Sequence, residues 1–279
     1  MKKEHWKSLL LTALLFALFI GVWFIATQPK ESAQQTAAQD EYAALMGKGA
    51  AKSGGFPPPQ EIGKAIVNHL SDPFKDNGPN DKGIAIQLGH SLGRVGMGFV
   101  LAILVALPLG FTIGMSPLLY RALDPFIQVL KPISPLAWMP LALYTIKDSG
   151  LSAIFVIFIC SLWPMLINTA FGVSSVRREW LNVARTLELG PGRTAWRVIL
   201  PAAAPTIFTG MRISIGIAWL VIVAAEMLVG GTGIGYFVWN EWNNLSITNV
   251  ITAILLIGLV GMALDQLMAR LQKAVAYAD

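Results

Sequence analysis

The sequence predicts an all-α integral membrane protein with six transmembrane helices and both termini on the cytoplasmic side. Three observations carry this. Only 13% of the 279 residues are charged and 54% are hydrophobic, whereas an average soluble domain carries about 25% charged residues. Uncharged runs recur at the length of a bilayer, and Lys and Arg gather in alternate short loops. Mean hydropathy is +0.59. An ordinary cytosolic enzyme, a disordered chain and a disulfide-stapled secreted domain are excluded. The net charge of +5 and pI near 9.4 read as a topology bias. They do not indicate nucleic-acid binding, because the basic residues are not grouped with stacking aromatics on a polar domain. The single cysteine, Cys160, lies in an apolar run and forms no internal disulfide; His5, His69 and His90 show no metal-ligand spacing.

Residues 8–27 carry no charge and span about 30 Å as a helix, one hydrocarbon core. Lys2, Lys3 and Lys7 precede them and hold the N-terminus in the cytoplasm. A cleaved signal peptide is the rival reading, since small residues follow (Ala26, Ala33, Ala37, Ala38). The apolar stretch exceeds a usual signal core, so an uncleaved first helix is expected over 1–27. Residues 28–84 then form a polar external segment, extending in composition to Gln87. It has turn signals at Gly54-Gly55, Pro57-Pro58-Pro59 and Asp76-Asn77-Gly78-Pro79, and it mixes six Lys with seven Asp or Glu. Within it, Ile62, Ala65, Ile66 and His69 share one face of an amphipathic helix over 61–70. That face suits either the membrane surface or the protein's own loops.

Residues 95–119 form the second span. The third, residues 125–146, contains Lys131 and Pro125, Pro132, Pro135 and Pro140, so a kinked or interrupted helix is expected. A tight external turn over 147–150 leads to the fourth span, 151–173. Residues 174–201 form the most basic short loop, with Arg177, Arg178, Arg185, Arg193 and Arg197 against Glu179 and Glu188. It is assigned to the cytoplasm. The fifth span is 202–228. Residues 230–244 hold no Lys or Arg and face outside. Their glycine cluster, Gly230 to Gly235, lacks the Gly-Lys-Ser/Thr ending of a phosphate-binding loop and reads as a flexible turn. The sixth span, 242–264, ends inside near Arg270 and Lys273, followed by a tail over 271–279. No catalytic domain is left over, so any ATP the protein uses is bound by another chain.

The basic loop contains Asn182-Val183-Ala184-Arg185-Thr186-Leu187-Glu188 and, ten residues on, Val198-Ile199-Leu200-Pro201. It resembles the coupling loop of ABC importer permeases of the type I fold. Their pattern is Glu-Ala-Ala, three residues, Gly, then an Ile-x-Leu-Pro ending. Ala184, Leu187 and the Leu-Pro ending match; Asn182, Val183 and Glu188 stand where the family has Glu, Ala and Gly. A second resemblance covers 123–140, through Leu123-Asp124-Pro125 and Lys131-Pro132-Ile133-Ser134-Pro135. Together they place the importer core over 85–270 and the coupling loop over 174–201, with the first helix an addition to a five-helix core. The runs Ala224-Ala225-Glu226-Met227 and Gly231-Thr232-Gly233-Ile234-Gly235 are similar to the branch that imports nitrate, sulfonates, taurine and bicarbonate. Trp239-Asn240-Glu241-Trp242 looks most like the nitrate permeases of cyanobacteria, with bicarbonate and cyanate permeases next.

The resemblance implies an inner-membrane permease subunit that is not itself an enzyme and carries no cofactor. ATP and Mg would sit on two ABC ATPase partner subunits. A second permease copy and an extracytoplasmic anion-binding protein would complete the importer, with lipid around it. In the loop, Leu181, Ala184 and Leu187 are expected to present an apolar contact to the ATPase. Arg185 and Glu188 are spaced to pair, and Trp196 to anchor at the membrane interface. Four further residues are candidates for a pathway or gate. Glu226 is the deepest acid and must be neutral, paired or part of an external gate, because an isolated charge at mid-bilayer costs about 2.5–3.5 kcal/mol on insertion scales. Arg94 and Arg212 either attract an anion or snorkel from span ends, and Trp219 lines a path or fills the core. No tight anion site is visible, so selectivity is expected mainly in the external binding protein. The spacings Gly89/Gly93 and Gly110/Gly114 permit close helix packing, within one subunit or between two. A membrane enzyme and a passive channel are the alternatives. The first lacks a nucleophile–base or metal-ligand arrangement, and the second leaves the basic loop without a purpose.

Overall fold

A computed structural model describes residues 2–27, 56–78 and 81–275, and every regular element among them is helical. Most of the 28–84 segment and the end of the 271–279 tail lie outside the described residues. The chain divides into two compact units, Met1–Asp72 with Glu241–Thr252, and Pro73–Asn240 with Ala253–Asp279.

In the first unit, α1 (Lys2–Ala26) exposes its apolar side chains, Leu10, Leu14 and Phe16 among them. At its end the Trp23 ring meets Phe19 and Phe56, and its Nε1 donates to the Pro57 carbonyl at 3.2 Å. Helix α2 (Pro59–Ser71) opens on a proline, which costs nothing at a position whose N–H has no helical partner. Its inward face is Ile62, Ala65, Ile66 and His69, the face the spacing predicts. His69 Nε2 lies 3.2 Å from Asn249 Oδ1, and Asn249 Nδ2 donates to Glu241 Oε2 at 2.8 Å.

The second unit is organised around three long helices: α3 (Ile84–Met115), α6 (Ser149–Ser174) and α9 (Leu200–Val229). Helix α6 lies between the other two. A Cβ at Gly98, Gly110 or Gly114 of α3 would lie 2.9, 2.8 or 2.6 Å from the carbonyl oxygens of Ile154, Leu166 or Ala170 on α6. These pairs keep a constant offset (154 − 98 = 166 − 110 = 170 − 114), so α3 and α6 run parallel with their backbones in close approach. Small residues permit this, and dispersion between the two helices is what holds them in a bilayer. Gly110 and Gly114 therefore serve packing within the subunit, whereas nothing lies within 4 Å of a Cβ at Gly89 or Gly93. Against α9 the direction reverses, with Gly172 beside Ala203, Met165 beside Gly210, and Ser161 beside Ser214. Ser214 Oγ donates to the Ser161 carbonyl at 2.7 Å, a polar tie inside the apolar bundle.

Two parallel helices require the chain to return between them. The return is made by α4 (Pro117–Leu130) and α5 (Pro135–Ile146), which meet at 90°. The break falls where the prolines predict it: Pro132 and Pro135 remove amides, and Ser134 Oγ accepts from Leu136 N at 3.3 Å to restart the helix. Among the described residues, five single helices are long and apolar enough to cross a membrane, and the bent pair makes six crossings if it counts as one.

The remaining elements are α7 (Arg178–Thr186), α8 (Pro191–Thr194) and a π turn (Ala195–Ile199) that runs without a break into α9. They are followed by α10 (Ile234–Asn243) and α11 (Ile247–Val275). Four boundaries differ from the expected spans by five residues or more. Helix α3 begins at Ile84 rather than 95, because Gln87, Ser91 and Arg94 spend their polarity inside the fold. The bent pair begins at Pro117 rather than 125, where Ser116 caps it. The last helix begins at Ile247 rather than 242, because α10 runs on to Asn243 and Leu245 takes a left-handed φ of 57°, and it ends at Val275 rather than 264.

The glycine contacts give a direct check. Gly110→Val should lower the thermal midpoint of the purified protein by an amount equivalent to about 1–3 kcal/mol of overpacking. Gly96→Ala, at a position with open space beside it, should leave the midpoint unchanged or slightly raised.

Candidate functional site

Two regions of the second unit concentrate polar groups. The first lies where α9 ends and α10 begins. A helix start leaves its first amides without partners, and side chains from outside α10 satisfy three in succession. Gly233 N donates to Gln87 Oε1 at 2.6 Å, Ile234 N to Ser91 Oγ at 2.9 Å, and Gly235 N to Glu226 Oε2 at 3.0 Å. Ser91 passes its own proton on, donating to the Glu226 carboxylate at 2.8 and 2.9 Å. Arg94 Nη1 donates to Glu226 Oε1 at 2.8 Å and to the Thr232 carbonyl at 2.7 Å. Glu226 is 1% exposed and fully engaged, an acid at the positive end of a helix dipole.

The glycines of this turn are therefore not a flexible linker. Gly230 and Gly231 take φ of 73° and 95°. A Cβ at Gly233 would strike the Glu226 carboxylate, and one at Gly235 would strike the Val223 carbonyl. The cluster is glycine because backbone and carboxylate have to touch. Of the four pathway candidates, Arg94 and Glu226 are joined as an ion pair. Arg212 holds Asp265 of α11 in a two-pronged pair, with Nε and Nη2 each 2.6 Å from a carboxylate oxygen. Trp219 is 3% exposed and donates to the Ile257 carbonyl at 3.0 Å, which places it in the core and off any open path within the chain.

The second region is the loop between α6 and α9. Helix α7 ends with Glu188 N donating to the Arg185 carbonyl and Leu189 N to the Ala184 carbonyl. This double closure puts the intervening residue in the left-handed region, where glycine is usual. That residue is Glu188, with φ 51°. It lies beyond the helix and forms no ion pair with Arg185 among the described residues, so the spacing of three does not produce the expected contact. The apolar face is also shared differently. Ala184 is 2% exposed and Leu181 packs on the cluster of Val173, Ile199, Ala203 and Ile207. Both fasten the loop to its own chain. Leu187 is exposed, as are Trp180 and Val183 on the same side of α7. Asn182, Arg185 and Trp196 also face outward, and the Arg177 guanidinium sits 5.7 Å from the centre of the Trp180 ring.

Sequence reasoning missed Gln87, Ser91, Asp265 and Val183. The first two were legible in principle, since positions 87, 91 and 94 follow helical spacing and bring three polar groups to one face.

The described residues thus form a bundle of helices apolar enough to cross a membrane, with a built polar turn at one end of α9 and a polar helix at the other. The family described as "Binding-protein-dependent transport system inner membrane component" matches residues 98–277, and the chain belongs to it. The chain is 46% identical over 224 residues to the nitrate import permease protein NrtB of Synechocystis sp., covering 80% of this chain and 82% of that one. It is also 46% identical over 208 residues to the bicarbonate transport system permease protein CmpB of Synechocystis sp., covering 74% of each. Among solved structures, an inward-facing form of the MetNI methionine ABC transporter superposes with a TM-score of 0.61 at 15% identity. The match covers 70% of this chain and 96% of that chain, and shows the shared fold.

Removal of the buried acid should be the costliest change at the turn. Glu226→Ala strands Arg94 and the Gly235 amide and should destabilise the protein by about 3–5 kcal/mol. Ser91→Ala, which leaves one buried amide and part of the carboxylate unpaired, should cost about 1–3 kcal/mol. Thermal unfolding of the two variants in one detergent gives the ranking.

Proposed function

We propose that the chain is the permease subunit of an ATP-driven importer that carries a small inorganic anion, nitrate first, across the inner membrane. The observation that carries the substrate is the 46% identity to a nitrate permease along four-fifths of the chain. Bicarbonate is the second reading, on an equal identity over a shorter stretch. Anion entry runs against an inside-negative potential at about 2.3 kcal/mol per charge per 100 mV, so a passive pore would not concentrate the cargo. An importer driven by ATP does.

In this reading both termini are cytoplasmic, residues 1–27 add a helix to the importer core at 85–270, and residues 28–84 lie outside. Two ATPase subunits bind ATP and Mg, and two copies of this chain form one pathway. An external binding protein delivers the anion. The loop 174–201 couples the ATPase to the bundle. Its docking face is the exposed stripe of Trp180, Val183 and Leu187, with Asn182 and Arg185 at its edge and Trp196 at the membrane interface. Arg94 and Glu226 form the outer gate region. Arg212 lies toward the inner end of α9.

Two tests follow. In a strain lacking this chain, its return should restore nitrate uptake, and excess bicarbonate or cyanate should compete weakly. Bicarbonate uptake without nitrate uptake would sink the first reading. For coupling, Val183→Asp or Leu187→Asp should leave the permease folded but weaken ATPase co-purification by about 2 kcal/mol, roughly thirtyfold in affinity. Ala184→Asp should instead lower the amount of folded permease, because position 184 is buried in its own chain.

A further inference from the structure

We propose that the groove between the N-terminal ends of α3 and α6 is an anion site, with Arg94 as its ligand-binding residue and a small planar oxyanion as its occupant. The proposal rests on reading the chain as an anion importer. The groove holds about 610 Å³ and is open. One wall is the face of α3 that carries Gly89, His90, Gly93 and Arg94; the other is the first turn of α6, with Asp148 at the rim.

Arg94 is the reason this groove suits an anion. Its Nη1 is committed to Glu226 and Thr232. Its Nε and Nη2 have no hydrogen-bond acceptor among the described residues, and neither is a buried atom. A guanidinium presents its N–H groups as planar pairs that match two oxygens of a carboxylate-shaped anion, and a trigonal oxyanion has that shape. Gly89 and Gly93 leave the approach clear, since nothing lies within 4 Å of a Cβ at either. His90 stands one turn before Arg94 on the same exposed face. The acid at the rim is already engaged, with Asp148 Oδ1 accepting from Leu151 N at 2.7 Å to cap α6.

The charge count sets the strength of the site. Glu226 offsets Arg94 from the buried side and Asp148 adds a negative charge at the rim, so the groove holds an anion by the directed donors of Arg94 and not by a net positive charge. An anion is held loosely enough to leave, which conduction requires. The same guanidinium fastens the turn that starts α10. Occupancy of its free edge therefore acts on the bonds to Glu226 and Thr232, and links the arrival of cargo to the outer turn.

The test uses the whole importer, with its ATPase and binding-protein partners, in lipid nanodiscs. Cys160 is replaced by serine, and Gly93→Cys places a thiol in the groove where there is room for it. Labelling rates are read with the anionic reagent MTSES and the cationic reagent MTSET, with nitrate against chloride at equal ionic strength. The expected result is labelling by MTSES that nitrate slows about tenfold at ten times its dissociation constant, as mass action requires, while chloride has little effect. Arg94→Gln in the same background should abolish the protection. Failure of both reagents to label would overturn the site, because the groove would then be closed to water, and so would MTSES labelling that nitrate leaves unchanged. If Arg94→Gln does not assemble, protection measured with Arg94 intact still decides. Nitrate uptake by the unmodified importer is measured alongside: its absence defeats the substrate reading, whereas uptake without protection defeats only the site.

Discussion

The carboxylate of Glu226 is the constraint on which the α9–α10 end of the second unit depends. It is a buried acid in an apolar helix, and it is stable there only because it receives a hydroxyl, a guanidinium and a backbone amide at once. Ser91 and Arg94 belong to α3 and the amide of Gly235 to α10, so one side chain fixes the distance from α9 to α3 and to α10 together. Taking a charge out of water costs several kcal/mol, and only a full set of partners offsets this. The glycines at 233 and 235 follow from the same demand, since any larger residue would occupy the place of the carboxylate or of a carbonyl it packs beside. The polar residues at 87, 91 and 94 follow as well, and they extend α3 beyond the apolar run that first marks it as a span.

Below this turn the bundle is held by contact between surfaces. Lipid is as apolar as the helix faces, so the hydrophobic effect gives α3, α6 and α9 little reason to choose one another. The choice is made by close backbone approach at glycine and by the reciprocal serines at 161 and 214. The parallel run of α3 and α6 then dictates the bent return through α4 and α5, where prolines supply the corner.

Much of this was legible in the sequence, and the rest was not for physical reasons. The spans could be read because hydrocarbon tolerates so few charges that each apolar run declares itself. The break at 131–134 could be read because proline cannot donate. Glu226 declared itself as an acid in the wrong solvent, but its side-chain partners Ser91 and Arg94 lie more than 130 residues away, and no local signal joins them to it. The glycine cluster gave the opposite lesson. Its composition suggests looseness, yet it is glycine because the space is full. In the basic loop the residues were identified and their phase was not. Which of Val183 and Ala184 faces out depends on where α7 meets Val173 and Ile199, a tertiary fact with no trace in the loop's own pattern. The end of α7 was hidden for a related reason: Glu188 occupies a backbone conformation that its type disfavours, so the turn is held by its hydrogen bonds rather than by residue preference.

The helix that runs from Pro191 to Val229 is 39 residues long and unbroken, about 58 Å from end to end at a helical rise. It starts beside the loop that carries α7 and finishes three residues past Glu226. Its π turn, at Ala195–Ile199, comes near the beginning, leaving thirty residues of α9 beyond it, with Pro205 inside their first turns. An α-helix transmits thrust along its axis with little stretch, because shortening it would mean compressing every hydrogen bond in series. The two polar regions of this protein are thus the two ends of a single strut. A displacement of one end is carried to the other along the helix axis, without a relay of side chains.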